Sequence, residues 1–172
     1  MVMLTPLDEA ALTRLLEAAE AGADPLEVMP PVGGPPGWTP ARRAAFLAFH
    51  RARCLDPATA VERTWVIDTD GTAVGAARLE PHGDAVEAGI WLARTARGRG
   101  IGRQVTALLL EEARVSGAER FIASTTAGNH GAPCPAVRNG RGAHHRGPRG
   151  HRGPAARPEE LTGPARRTAP DR

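Results

Sequence analysis

Seven residues, Arg97-Gly98-Arg99-Gly100-Ile101-Gly102-Arg103, are where residue type and spacing in this chain point most directly to chemistry. Three alternate glycines let a backbone approach an anion closely, and Arg97, Arg99 and Arg103 surround it with positive charge. Ile101, Val105, Leu108, Leu109 and Ala113 then share one side of a helix that Gly117 closes. The first-turn N–H groups of such a helix have no intrahelical partner, and its dipole adds roughly half a positive charge there, so the pattern is that of a phosphate site. A dinucleotide fold would need Gly-x-Gly-x-x-Gly after the first strand, which glycines at 98, 100 and 102 do not provide. A nucleotide P-loop needs Gly-Lys-Ser/Thr, and the chain has no Lys. A helix opening that merely uses glycines is the plainer alternative.

The elements that must carry this turn follow from periodicity. Residues 2–4 read as a short edge strand. Thr5, Pro6 and Asp8 read as a helix start, with Leu12, Leu15, Leu16 and Ala19 at helical spacing up to Gly22. Residues 23–37 hold five prolines and three glycines, a long ordered loop or a flexible cover. Thr39-Pro40 restarts a helix whose apolar face is Ala45, Phe46 and Phe49. Strands are expected over residues 64–68, 72–79, 85–92 and 120–126, the first two joined by the turn Thr69-Asp70-Gly71. Helices, an antiparallel meander, a glycine turn into a helix and a further strand make a mixed α/β pattern without internal repeats. Trp38 and Trp65 read as core, and His50 as a residue of the helix surface.

Arg97 to Gly102 match the Arg/Gln-x-x-Gly-x-Gly/Ala signature of the GNAT superfamily of acyl-CoA-dependent N-acetyltransferases. The stretch VEAGIWLARTARGRGIGRQVTALLLEEARVSGAERFIASTTAGN around them resembles that family closely. VGAARLE looks like its third strand. The resemblance covers residues 64–129 well, with residues 1–63 as variable substrate-side helices. It implies that the amides of Arg97, Gly98, Arg99, Gly100, Ile101, Gly102 and Arg103 bind the pyrophosphate of acetyl-CoA. It further implies that the strand 85–92 splays from its neighbour, so that the backbone near Trp91 and Leu92 meets the pantetheine arm and an amide there polarises the thioester oxygen. Asn129 matches the family's asparagine that contacts the same arm. Direct attack by a neutral amine needs a proton acceptor, usually a carboxylate acting through water, and Glu87, which alternates with Gly89 and Trp91 on one strand face, is the candidate; a solvated glutamate paired with Arg is its plainer reading. The acceptor is expected to be an amine on a small molecule or a peptide, bordered by the 23–37 loop and by Phe46, Phe49 and His50. A homodimer stays open.

Composition sets residues 130–172 apart from this body. Every one of the 22 basic residues is Arg, and 13 of them face 16 acids over residues 1–129, whereas nine face three over 130–172. The pI near 10 therefore belongs to the last quarter of the chain, and the body is mildly acidic. Residues 130–172 hold 14 Gly or Pro, with Val137 and Leu161 as their only large aliphatics, and are expected to be a disordered tail. The family's final helix and two strands have no counterpart there: Pro133 and Pro135 oppose a helix, no alternating pattern is present, and no Tyr exists to protonate a leaving thiolate. The abrupt shift to Arg, Gly, Pro and Ala suggests a reading-frame slip or a degraded gene end. An inactive remnant, or non-specific RNA binding through the Arg/Gly-rich tail, are the alternative functions. Specific nucleic-acid binding is not expected without interleaved aromatics, nor is a metal site, since Cys134, His144, His145 and His151 lack finger spacing. With two cysteines, no secretory pattern and no long apolar run, a cytoplasmic protein without membrane contact is expected.

Overall fold

Alternation along β2 (Arg63–Thr69) sets the architecture: Trp65 and Ile67 pack on one face and Val66 on the other, all three buried. A sheet that is apolar on both faces needs helices on both. The computed structural model describes residues 1–124 and 137–138. In it, β1 (Val2–Pro6), β2, β3 (Thr72–His82) and β4 (Ala85–Leu92) form an antiparallel meander, and β5 (Arg120–Ser124) pairs parallel to β4. Parallel pairing requires a crossover, and α4 (Ile101–Val115) makes it. Ile101, Val105, Leu109 and Ala113 of α4 pack on Trp65, Ile67, Leu79, Val86 and Phe121. On the other face α1 (Glu9–Gly22) and α3 (Pro40–His50) bring Leu12, Leu15 and Phe46 against Val66 and Ala76. The chain thus forms the expected mixed, mostly antiparallel sheet flanked by helices.

Local chemistry explains where the elements begin and end. Asp70 and Gly71 take φ of 51° and 81°, so a two-residue turn joins Thr69 to Thr72. Thr39 caps α3 by accepting from the Arg42 amide at 3.2 Å, with Pro40 at the first helical position. The start of α1 differs from expectation: β1 runs through Pro6, the Thr5 hydroxyl donates to Asp68 at 2.6 Å, and Asp8 is the cap, accepting from Ala11 N at 2.7 Å. The pairing of Pro6 with Trp65 holds residues 5 and 6 in the ladder, so the first side-chain acceptor free to cap is Asp8. Leu108, expected on the buried stripe of α4, is 39% exposed.

The 23–37 loop is ordered. It contains a short helix, α2 (Pro25–Val28), and the rest winds around the buried Arg42 guanidinium, which donates to the carbonyls of Val32 at 3.0 and 3.1 Å and of Pro35 and Gly37 at 2.6 Å. A two-residue strand, β6 (Val137–Arg138), pairs antiparallel with Phe121 and Arg120, although the sequence offered no strand pattern after Asn129. Asn129, the candidate zinc residues Cys134, His144, His145 and His151, and the rest of the 130–172 tail lie outside the described residues. No helix among the described residues is long and apolar enough to cross a membrane.

Candidate active site

The glycine turn is built where β4 ends. After Leu92, Ala93 N bonds Val74 O at 2.8 Å, and a single 3₁₀ turn, Arg94–Ala96, buries Ala96 in the α4-side core. The chain must then reverse into α4 within four residues. Gly98 and Gly100 do this at φ of 72° and 75°, a left-handed region that costs other residues strain. Gly100 is the N-cap and offers no side chain, and the first helical bond is Gln104 N to Gly100 O at 3.3 Å. The amides from Gly98 to Arg103 therefore have no partner among the described residues, and a Cβ built on Gly98 or Gly100 would meet nothing within 4 Å. An open row of free N–H groups at the start of a 15-residue helix, flanked by the exposed Arg99 and Arg103, fits a diphosphate.

Arg97 differs from its neighbours. Its amide bonds Arg94 O at 3.3 Å, its Nε donates to Leu92 O at 2.9 Å, and its Nη2 donates to Glu27 of α2 at 2.7 Å. It braces the turn against the strand end and α2 rather than presenting a free amide. That guanidinium, with Arg94 beyond it, holds the Glu27 carboxyl below the usual carboxylate range.

The edge of β4 lies beside this turn. Its pairing with β5 runs from Ala85–Arg120 to Gly89–Ser124, and beyond Gly89 it has no strand on that side among the described residues. Since Ala93 N points to β3, alternation turns the backbone groups of Trp91 to β3 as well and those of Leu92 to the free side. Of the two residues expected near the pantetheine arm, Leu92 turns its backbone to this free side, its carbonyl accepting from Arg97 Nε, and Trp91 lines a cleft. Close approach of β3 fixes this register: a Cβ on Gly75 would lie 2.1 Å from Trp91 O.

That cleft, about 370 Å³, lies on the α1/α3 face of β3 and β4 and is walled by Leu26, Met29 and Phe49 as well as Trp91. Its polar lining is Glu27, His50, Glu62, Thr64 and Arg78. Glu87 stands outside the lining, joined to Arg78 Nη2 at 2.9 Å. Glu80 on β3 lies opposite Glu87 on β4, and Glu62 immediately precedes β2, so three carboxylates gather here and like charges so close need cations between them. Arg53 bridges Glu62 and Glu80 at 2.7 and 2.6 Å, and Arg78 bridges Glu80 and Glu87 at 2.7 and 2.9 Å.

His50 is not on the helix surface. It is 4% exposed, packed edge-on against Phe46 and Phe49, at the point where α3 passes into a π-helical turn, Arg51–Leu55. Neither ring nitrogen has a hydrogen-bond partner, and burial, with the Arg53 charge nearby, pushes its pKa down to about 4. Sequence reading put His50 at the border of the acceptor site, though as a surface residue, and missed the placement of Glu62 and Arg78 in the cleft. Helical spacing did carry a signal for His50, since Phe46 lies one turn before it on the same face. Nothing local marks Glu62, which precedes its strand and is buried by Arg53.

The sequence profile of the acetyltransferase (GNAT) family matches residues 30–133. No curated protein matches the chain. Among solved structures, AAC(6')-Iy bound to the bisubstrate analogue CoA-S-monomethyl-acetylneamine is 16% identical, covering 75% of this chain and 82% of that one at a TM-score of 0.52. A chimera of spermidine N-acetyltransferase SpeG from Vibrio cholerae and hSSAT is 16% identical, covering 71% and 68% at 0.52. A transcriptional regulator from Bacillus halodurans is 15% identical, covering 74% and 84% at 0.53. At such identities these likenesses speak for the fold.

Proposed function

The chain belongs to the acetyltransferase (GNAT) family and is an acyl-CoA-dependent N-acetyltransferase, and we propose that it moves the acetyl group of acetyl-CoA onto a primary amine by direct attack. The observation that carries this reading is the row of unpartnered amides from Gly98 to Arg103 at the start of α4. Those amides, with the Arg99 and Arg103 side chains, receive the pyrophosphate. Arg97 holds the turn to Leu92 and Glu27. When bound, the coenzyme supplies the acetyl group as an activated thioester. The free-side backbone of Leu92 meets the pantetheine arm and polarises the thioester oxygen, and Asn129 contacts the same arm. The acceptor occupies the cleft walled by Trp91 and Phe49. Aminoglycoside and spermidine, the substrates named for two of the structural neighbours, support an amine acceptor.

The proton shed by the attacking nitrogen passes through water to Glu87 at the margin of that cleft. Replacing Glu87 by Gln is expected to lower kcat by ~10²–10⁴-fold while the coenzyme still binds. An unchanged kcat would leave Glu87 as an ion-pair residue only. For the reaction as a whole, acetyl-CoA should raise the melting temperature and Gly100→Glu should abolish the rise, since it puts bulk and negative charge on the bare turn. A wild-type protein that neither shifts with acetyl-CoA nor releases free thiol in the presence of an amine would overturn the reading.

A further inference from the structure

Within the cleft the charged groups are already answered by the protein. Glu27 is held by Arg97 at 2.7 Å, and Glu62 by Arg53 at 2.7 Å and by the Thr64 hydroxyl at 3.1 Å. Arg78 is shared between Glu80 and Glu87. A polycationic acceptor would have to compete with these pairs to find a carboxylate, leaving a part-exposed guanidinium without its partner. The imidazole of His50 is in the opposite condition. Its two nitrogens are the only buried side-chain nitrogens or oxygens without a partner among the described residues, and buried polar groups are rarely left so unless something else bonds them. Around it the walls are aromatic and aliphatic: Phe49, Trp91, Met29, Leu26 and Ile90. The volume, about 370 Å³, is near the small end of the ~300–1,000 Å³ common for ligand pockets. The ring sits at a π-helical turn, a distortion of a helix found often at functional sites.

We propose that His50 is a specificity-determining residue that takes a hydrogen bond from the acceptor amine, and that the acceptor is a small monoamine with an apolar alkyl or aryl body rather than a polyamine or an amino sugar. The inference rests on reading this cleft as the acceptor site of the acetyltransferase. A neutral ring can accept a hydrogen bond from a nitrogen entering along an apolar channel, and the low pKa of His50 keeps the ring neutral at ordinary pH. The surrounding rings then hold the hydrocarbon body.

The test titrates full-length protein, saturated with coenzyme A so that no turnover occurs, with phenethylamine, hexylamine, spermidine and kanamycin by calorimetry. Phenethylamine and hexylamine should bind at least tenfold more tightly than the two polycations. His50→Phe should weaken both monoamines at least tenfold, and His50→Gln, which retains a donor and an acceptor, should recover most of that loss. Should His50→Phe fail to fold, ring-15N-labelled wild-type protein decides: phenethylamine must move the His50 imidazole resonances, assigned by their absence in His50→Gln. A purely packing role would lower the melting temperature of His50→Phe without changing amine affinity. Spermidine or kanamycin binding as tightly as the monoamines, unmoved resonances, or unchanged affinity in His50→Phe would each overturn the proposal. If coenzyme A binds and the monoamines do not, this inference alone fails; if coenzyme A does not bind, the acetyltransferase reading of the site fails with it.

Discussion

A buried imidazole with neither nitrogen bonded makes stability depend on pH. The folded pKa of His50 is about 4, against an ordinary value of 6.5. Between those two pH values the unfolded chain binds a proton that the folded chain does not. The contribution is therefore complete above about pH 6.5 and is lost as pH falls toward 4, by about 3 kcal/mol in all. Thermal melts of the wild type should fall from pH 7 to pH 5, and His50→Phe should flatten that part of the profile. A variant as steep as the wild type would assign the slope to other groups. Gly75 is the second residue whose identity is forced. A Cβ there would sit 2.1 Å from Trp91 O and 3.0 Å from Leu92 Cα, both backbone atoms that cannot rotate away. Gly75→Ala should cost about 1–3 kcal/mol by denaturant melt and weaken acetyl-CoA binding as well, because the displaced segment includes Leu92.

At the scale of elements, two ties hold the acceptor-side segment, one to α3 and one to the coenzyme turn. Arg42 gathers the carbonyls of Val32, Pro35 and Gly37, turning a proline- and glycine-rich stretch into a fixed wall. Arg42→Ala leaves those acceptors without their donor and should cost about 3–5 kcal/mol in a denaturant melt, with faster proteolysis between residues 30 and 39. A loss under 1 kcal/mol would mean the loop holds itself. The second tie, Glu27 with Arg97, links α2 to the coenzyme turn across a partly exposed surface. Glu27→Gln should leave stability nearly unchanged, since exposed pairs contribute little, yet alter acetyl-CoA affinity because the freed Arg97 borders the pyrophosphate turn. Calorimetry on this variant reads that effect directly.

For the whole molecule, a ligand that binds only the folded state stabilises it by mass action, about 2.7 kcal/mol at a hundredfold excess over Kd. Acetyl-CoA should then raise the melting temperature by roughly 5–10 °C. We propose that the acyltransferase domain is carried by the body of the chain and that residues 142–172 add nothing to coenzyme binding, so a protein ending at residue 141 should keep the full shift; a lost shift would place part of the site in the removed segment. The sequence by itself determined the meander, the crossover helix and the glycine turn, because each depends on spacing within about a dozen residues: alternation in β2, β3 and β4, the helical stripe of α4, positive φ at Gly98 and Gly100. Only the tertiary structure decided how the polar side chains of the cleft are buried and paired. The burial of Glu62 and the bridging of Glu62, Glu80 and Glu87 by Arg53 and Arg78 join residues from separate stretches of the chain, which no local pattern encodes. The same holds for Arg97, which fits the motif by its position but is turned away from it by a carboxylate 70 residues earlier in the chain.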